Sequence, residues 1–176
     1  MSRDVSLTDL PVLRRMNRYV TGQLLTVEDL QVEQEYHRAR ARLHNRLLHG
    51  HGVVAGLEVR SSKGRILVSP GVAIDALGND IVLVEERCVE LTPATGKPGA
   101  KFVVVRYAEA LAGPLPVAGG DATDVRTHFR HVIEGAELSV VDAVPKAPDV
   151  TVVLARVLWR TTQWRVDVRY RRRSVR

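Results

Sequence analysis

An uninterrupted helical stretch near the N-terminus constrains the fold of this chain more than any other feature. Residues 24–52 contain no proline, and no glycine before Gly50, so nothing in their interior breaks a helix. Thr26 can act as the N-cap, with its hydroxyl accepting from the backbone N–H of Asp29 while the Asp29 carboxylate reaches back. Gly50 and Gly52 can each adopt the left-handed conformation that ends helices. We therefore predict one rod about 35 Å long.

The predicted helix carries two side-chain stripes. The first is apolar at spacings of three and four, and the second is apolar at its ends and polar in its middle. A helix that lies only on its own domain needs one stripe, whereas two indicate a bundle or a short coiled coil. The alternative, that the second stripe is a solvated flank, stays open. The predicted interface residues are Leu30, Val32, Tyr36, His37, Ala39, Leu43, His44, Leu47 and Leu48.

The chain after the helix is β-rich, because its apolar period changes from about 3.6 to 2 and β-branched residues become frequent. Roughly nine runs predict strands, among which 101–107 is the most β-prone. The sequence therefore predicts an α+β chain, with one long N-terminal helix followed by a mostly antiparallel β-sandwich or barrel-like domain. Further predictions are strands over 53–60, 125–133, 137–141 and 164–170 and an irregular connection over 113–121.

Positive charge is concentrated at the C-terminal end. The formal net charge is +6, and residues 160–176 contain seven arginines against Asp167 alone, so the rest of the chain is neutral. A short basic segment of this kind is typical of a docking tail. Its predicted docking residues are Arg165, Arg169, Arg171, Arg172, Arg173 and Arg176.

These patterns divide the chain into four parts. Residues 1–23 form an N-terminal arm, and residues 24–52 form the capped helix, which serves oligomerisation or docking. Residues 53–160 form a β-rich domain, and residues 161–176 form a basic C-terminal strand or tail. The arm, the helix and the tail are three attachment devices on one small β-body.

The residue types that carry catalysis or bind metals do not form a recognisable set. A helical metal pair needs spacing of three or four, but His37 and His44 are seven apart. The single cysteine, Cys88, excludes a disulfide framework and lies in a strand pattern that is typical of an inert thiol. There is neither a Gly-x-Ser-x-Gly motif nor a glycine-rich phosphate loop before a helix. We predict a non-enzymatic protein with no cofactor and no metal.

The sequence contains no predicted membrane segment. No apolar run approaches about 18 residues, and the N-terminus lacks the apolar region of a signal peptide. Cytoplasmic localisation is the expectation.

Two stretches resemble small proteins encoded among the genes of phage-tail-like contractile injection systems. The first runs from GQLLTVEDLQVEQEYH, at 22–37, to LHNRLLHGHGVVAGLEV, at 43–59. The second, VSPGVAIDALGNDI at 68–81, is also similar to β-rich tail-fibre and baseplate domains. Weaker matches follow at VRYAE (105–109) and GAELSVVDAVP (135–145), so the resemblance covers roughly 19–158 and leaves out the basic tail. It implies a particle component in a baseplate, fibre or other accessory position and assigns no catalytic residue.

Two functional hypotheses follow. The first is a structural subunit of a contractile particle, which assembles with itself and with other particle proteins and is either kept in the cytoplasm or released with the particle. A trimer is favoured because fibre-like β modules commonly assemble that way. The alternative is a nucleic-acid-binding protein, in which the tail arginines contact phosphates and Trp164 and Tyr170 stack on bases. The arginines of the helix are matched by acidic residues, which makes this alternative the less favoured one.

Overall fold

One helical rod precedes ten β-strands in the described part of this chain. The structure, a computed structural model, describes residues 15–91, 99–115, 128–145, 150–160 and 162–175. The α+β prediction is confirmed. The elements are α1 (Val27–His44), a π-helical turn (Asn45–His49), β1 (Gly52–Gly56), β2 (Val59–Ser62), β3 (Arg65–Val68), β4 (Gly71–Ile74), β5 (Asp80–Leu83), β6 (Arg87–Val89), β7 (Ala100–Leu115), β8 (His128–Val141), β9 (Thr151–Arg160) and β10 (Gln163–Val166).

The helix begins as the sequence predicts. The Thr26 hydroxyl accepts from the backbone N–H of Asp29 at 3.2 Å, and the Asp29 carboxylate accepts from the backbone N–H of Thr26 at 3.0 Å. This reciprocal capping box satisfies two backbone donors that the first turn would otherwise leave unpaired. The part of the arm from Arg15 onward contacts the same turn, because Asn17 donates to the carbonyl of Asp29. The first 14 residues of the predicted arm lie outside the described residues.

Three antiparallel sheets form the body, and they include a curled half-barrel. The strand orders are β1–β4–β5, β2–β3–β6 and β10–β9–β7–β8. The buried cluster takes side chains from all three sheets, for example Ile81 of β5, Val68 of β3 and Val105 of β7. Because aromatic residues are scarce, aliphatic packing dominates this core. Among the described residues, Trp164 is the one aromatic side chain in the buried cluster.

The single strand predicted over 53–60 is wrong, because a kink divides it into β1 and β2. Gly56 and Leu57 both have positive φ, at 62° and 54°. A Cβ on Gly56 would lie 2.2 Å from the carbonyl oxygen of Pro70, so this close approach of two backbones requires glycine. The kink directs the chain from the first sheet to the second and buries Leu57 completely.

A long hairpin of β7 and β8 replaces several predicted breaks. The two strands predicted over 125–133 and 137–141 are joined into β8, with Gly135 paired opposite Ala108. Likewise β7 continues through Gly113 and Pro114, where an irregular connection was predicted. The rest of that predicted connection, 116–121, lies outside the described residues.

The outer half of this hairpin is a two-stranded ribbon. The pairs between β9 and β7 end at Thr151 and Arg106, whereas β7 and β8 stay paired out to Leu115 and His128. Pro114 is tolerated here because it lies on the part of β7 that β9 does not reach, where its missing N–H breaks no bond to β9. We call residues 107–115 and 128–136 the ribbon.

The chain after β10 does not continue as the strand predicted over 164–170. Asp167 accepts from the guanidinium of Arg156 and from the backbone N–H of Arg169, which makes a turn. Beyond the turn, the tail lies beside β1. The N–H of Val53 donates to the carbonyl of Arg173 and the N–H of Val175 donates to the carbonyl of Val53, each at 2.9 Å. The tail is therefore part of the body.

Candidate assembly surfaces

The helix lies on the body without burying any of its residues. The first stripe is half-buried at Val32, Tyr36, Ala39 and Leu43. Leu47, at its end, is 39% exposed. The second stripe is open along its whole length, with Leu30, His37, His44 and Leu48 all exposed. The second stripe is thus accessible, whereas most of the first stripe is partly covered.

Polar contacts hold the helix in place. Arg38 binds Glu109 and the Tyr107 hydroxyl on β7, and Arg42 donates to the Asn79 side chain at 2.7 Å. Asn45 donates to the carbonyl of Gly78 at 2.9 Å and to the Asp80 carboxylate at 3.0 Å. We call this set of residues the clasp: Arg38, Arg42, Asn45, Gly78, Asn79, Asp80, Tyr107 and Glu109.

The clasp depends on the turn before β5. Asp75 is buried and accepts from the N–H of Leu77, the N–H of Asn79 and the Asn79 amide, at 2.7–2.9 Å. The carboxylate therefore stabilises the turn. Gly78 has φ +89°, and a Cβ there would lie 2.3 Å from the carbonyl oxygen of Arg42. Only glycine lets the helix approach this closely.

Hydrogen bonds link the clasp residues that lie on the ribbon. The Tyr107 hydroxyl lies 2.7 Å from Glu109 and 2.9 Å from Glu134. Burial, followed by hydrogen bonding of the single phenolic proton to one or other of these carboxylates, raises the pKa of Tyr107 well above its usual range. The hydrogen bond from Tyr107, followed by that from Arg38, lowers the pKa of Glu109. At neutral pH the clasp therefore consists of a neutral phenol, an ionised carboxylate and a guanidinium.

Sequence reasoning missed the clasp, although a signal was present. Arg38, Arg42 and Asn45 are spaced by four and three, so they share one face of the helix. That spacing could have predicted a third, polar stripe facing the body. Nothing in the sequence indicates that Tyr107 and Glu109 are its partners, because they lie about 70 positions away.

The histidines of the helical rod take part in local contacts. Among the described residues, no group of three or more histidine, cysteine or acidic side chains could hold a metal ion. His37 contacts Glu33 at 2.9 Å. The π-helical turn brings the rings of His44 and His49 to a centroid distance of 5.3 Å. Sequence reasoning missed this pair, because residues five apart lie about 140° apart around an α-helix.

One face of the ribbon lacks acidic residues, lysine and arginine altogether. Cross-strand register and the alternation of side chains place eight residues on it. Phe129 is 41% exposed and Ile133 is 57% exposed. The opposite face also carries exposed aliphatic groups, at Leu111 and Val132. The eight residues of the uncharged face are Ala108, Ala110, Ala112, Pro114, Phe129, His131, Ile133 and Gly135.

The predicted basic tail divides into exposed arginines and one anchor. Arg165, Arg169, Arg171 and Arg173 are exposed, and Arg176 lies outside the described residues. Arg172 instead donates to the carbonyls of Gly56 and Leu57 and to Glu58, so it holds the tail on the body.

The two rings predicted to stack on bases are engaged within the body. Trp164 is only 2% exposed and packs edge-on against Trp159, with centroids 5.4 Å apart. Tyr170 is half-buried and lies 5.8 Å from the ring of Phe102. Stacking on a nucleobase requires a free ring face, which Trp164 does not offer.

The fold of the chain is similar to that of solved baseplate proteins. No family model matches the chain, and no curated protein matches it. Solved structures do match, and they belong to type VI secretion baseplates, which are components of phage-tail-like contractile injection systems. The resemblance inferred from sequence is thereby confirmed at the level of the fold.

Three of these structures illustrate the extent of the match. The baseplate complex from the type VI secretion system has a TM-score of 0.57, with 14% identity over 91% of this chain and 42% of the other. The crystal structure of TssK gives 0.53, with 13% identity over 87% and 40%. The TssK-TssF-TssG baseplate subcomplex gives 0.52, with 16% identity over 90% and 61%. The chain therefore spans about half the length of the proteins that it matches.

No helix among the described residues is both long enough and apolar enough to cross a membrane.

Proposed function

We propose that this chain is a non-enzymatic structural subunit of a contractile, phage-tail-like particle, in a baseplate or related accessory position. The observation that carries the proposal is the fold, which matches type VI secretion baseplate proteins over 87–91% of the chain. The match covers nearly the whole chain and not one common motif. In this function the chain associates with other proteins of the particle and works in the cytoplasm, or leaves with the particle.

The exposed helix supports an assembly role. Isolated helices in water are marginally stable, and most helical stability in proteins comes from packing of an apolar face. Here no helical residue is buried, while Leu30 and Leu48 are 52% and 65% exposed. Packing against another chain would supply the missing burial.

Self-association into a trimer is the assembly that the two stripes favour. In a three-helix arrangement each helix touches two neighbours, so each stripe has a partner. The half-buried first stripe and the open second stripe would then lie at different contacts. The clasp keeps the helix at a fixed position on each body, which gives the assembly a defined geometry.

Nucleic-acid binding is the competing function, and the exposed tail arginines are the feature that favours it. Phosphate contacts alone would make such binding independent of sequence and steeply dependent on salt. With Trp164 buried, the stacking part of that hypothesis loses its main ring.

Co-purification tests the proposal. A tagged chain expressed in its own host should recover sheath, tube and baseplate proteins of a contractile particle. The double variant Leu30→Glu, Leu48→Glu should recover them at least tenfold less, because charges on the second stripe oppose packing. The matched control is Leu77→Glu, Val84→Glu, which adds the same charge at positions of the body that are 51% and 79% exposed. Recovery of nucleic acid without particle proteins would contradict the proposal.

A further inference from the structure

A cleft of about 270 Å³ lies beside the tail, between the start of β9 and the turn that enters β1. Arg171, Arg173 and His51 line its tail side, and Val144, Pro145 and Val153 form much of its floor. No acidic residue is among the described residues that line it. The cleft therefore combines positive charge with an aliphatic floor.

The two arginines of the cleft are available for binding. Arg171 and Arg173 are exposed, and neither forms an ion pair within the described part of the chain. Their neighbours in the fold are different, since Arg172 is paired with Glu58 and Arg156 with Asp167. Two guanidinium groups in a cleft with no acidic residue among its described lining favour an anionic ligand.

The segment that carries these arginines is held rigidly. Hydrogen bonds between Val53 and the backbone of Arg173 and Val175 fix its end, and the Arg172 side chain anchors its middle. Arg171 and Arg173 both line the cleft, whereas Arg172 between them binds the body. The backbone that carries the two guanidinium groups is thus placed before any ligand binds, which reduces the entropy lost on binding.

We propose that this cleft binds an extended acidic segment of a neighbouring protein, with carboxylates at alternate positions and aliphatic residues beside them. Carboxylates two apart match the spacing of Arg171 and Arg173, and aliphatic side chains match the floor. Which protein supplies the acidic segment rests on the proposed function, under which the neighbour is another protein of the particle. The site itself rests only on the cleft.

The geometry favours a protein segment over a nucleic acid. A single strand of nucleic acid needs a continuous basic track and free aromatic faces. The floor of this cleft is aliphatic, and the ring of Tyr170, at its edge, is already packed against Phe102.

Fluorescence anisotropy with a defined peptide tests the site in the full-length chain. The probe is fluorescein-labelled Val-Glu-Val-Glu-Val with an amidated C-terminus, and its uncharged counterpart is Val-Gln-Val-Gln-Val. The double variant Arg171→Gln, Arg173→Gln should bind the glutamate peptide at least tenfold more weakly than wild type. The matched control, Arg165→Gln, Arg169→Gln, removes the same charge from exposed tail positions outside the cleft and should bind within twofold of wild type.

Several results would overturn the site. They are equal loss of affinity in both double variants, equal binding of the glutamine peptide, and no binding at millimolar peptide. If an oligothymidine of twelve nucleotides binds more tightly and displaces the peptide, the cleft is a nucleic-acid site instead. These failures are separate from failure of the proposed function. A chain that binds the peptide but recovers no particle proteins would contradict the function and leave the cleft standing.

Discussion

The N-terminal helix and the C-terminal tail are attached to the β-body in opposite ways. The tail is short and charged, yet backbone hydrogen bonds to Val53 and the Arg172 anchor make it part of the body. The helix is long and carries two stripes, yet polar side-chain contacts of the clasp hold it and none of its residues is buried. Charge is thus a poor guide to which segment is free to bind. The better guide is which segment leaves apolar surface exposed.

The largest expected change in the free energy of unfolding is at the C-terminal tail. Trp164→Ala should lower the free energy of unfolding by about 3–5 kcal/mol, because it empties a core position where β10 leads into the tail. Urea denaturation would measure the loss. Val168→Ala is the matched truncation at a position that is 86% exposed, and it should change the free energy by less than about 0.5 kcal/mol. Similar losses in both variants would mean that Trp164 is not a core position, so that the chain leading into the tail is not joined to the core.

The next largest loss of stability is expected at Arg172, which anchors the tail to the body. Arg172→Ala should cost about 1–3 kcal/mol, because the carbonyls of Gly56 and Leu57 lose their guanidinium partner. Arg171→Ala, which removes the same side chain from the next position, should be nearly neutral in denaturation. If the two variants were equally stable, the tail would be held by its backbone alone.

Truncating the leucine side chains of the helix should destabilise the isolated chain less. If Leu43 and Leu47 were fully buried, each change to alanine would cost about 2–5 kcal/mol. Leu43 is half-buried and Leu47 is 39% exposed, so we expect less than about 1.5 kcal/mol for each in dilute solution. The cost should rise with protein concentration if the helix packs in a homo-oligomer. A cost that is large and independent of concentration would show that the stripe is a core of the single chain.

The smallest effect is on the clasp and depends on pH. Hydrogen bonds from Tyr107 and Arg38 lower the pKa of Glu109, so its contribution is present above its ordinary value of 4.5 and is lost as pH falls through the lower folded value. Burial and hydrogen bonding raise the pKa of Tyr107, so its contribution is present below 10.0 and is lost as pH rises through the raised value. The clasp should therefore be tightest between these limits.

Thermal melting as a function of pH measures this dependence. The difference in Tm between wild type and Glu109→Gln should be present at pH 7 and should disappear in acid. Glu90→Gln, at the exposed position just after β6, is the control for general charge effects. A difference that persisted at pH 2 would mean that Glu109 does not act through its ionised form.

Local signals predicted part of this fold. The Thr26–Asp29 capping box and the change of apolar period at the end of the helix could be read from neighbouring residues, and the structure confirms both. Where a local rule failed, a long-range contact had overridden it. Leu57 takes a positive φ because Gly56 must approach Pro70, and Gly135 stays in a strand because it pairs with Ala108.

The candidate surfaces show the same limit. Exposure of the second stripe agrees with its sequence pattern, and the resemblance to contractile-particle proteins was visible in the stretch around the helix. The helix side of the clasp could have been predicted, but its partners and those of the tail could not, because they lie about 70 and 115 positions away. Whether the stripes form an interface stays a prediction.

Hydrogen exchange of the same chain, alone and inside the particle, tests the contrast between helix and tail most directly. In a solution dilute enough for the chain to be monomeric, the amides of Val53 and Val175 should already exchange slowly because they bond the tail to β1. The amides of α1 should exchange quickly in the monomer and become at least a hundredfold slower in the particle. Helix amides with equal protection in both states, or rapid exchange at Val53 and Val175 in the monomer, would contradict the account.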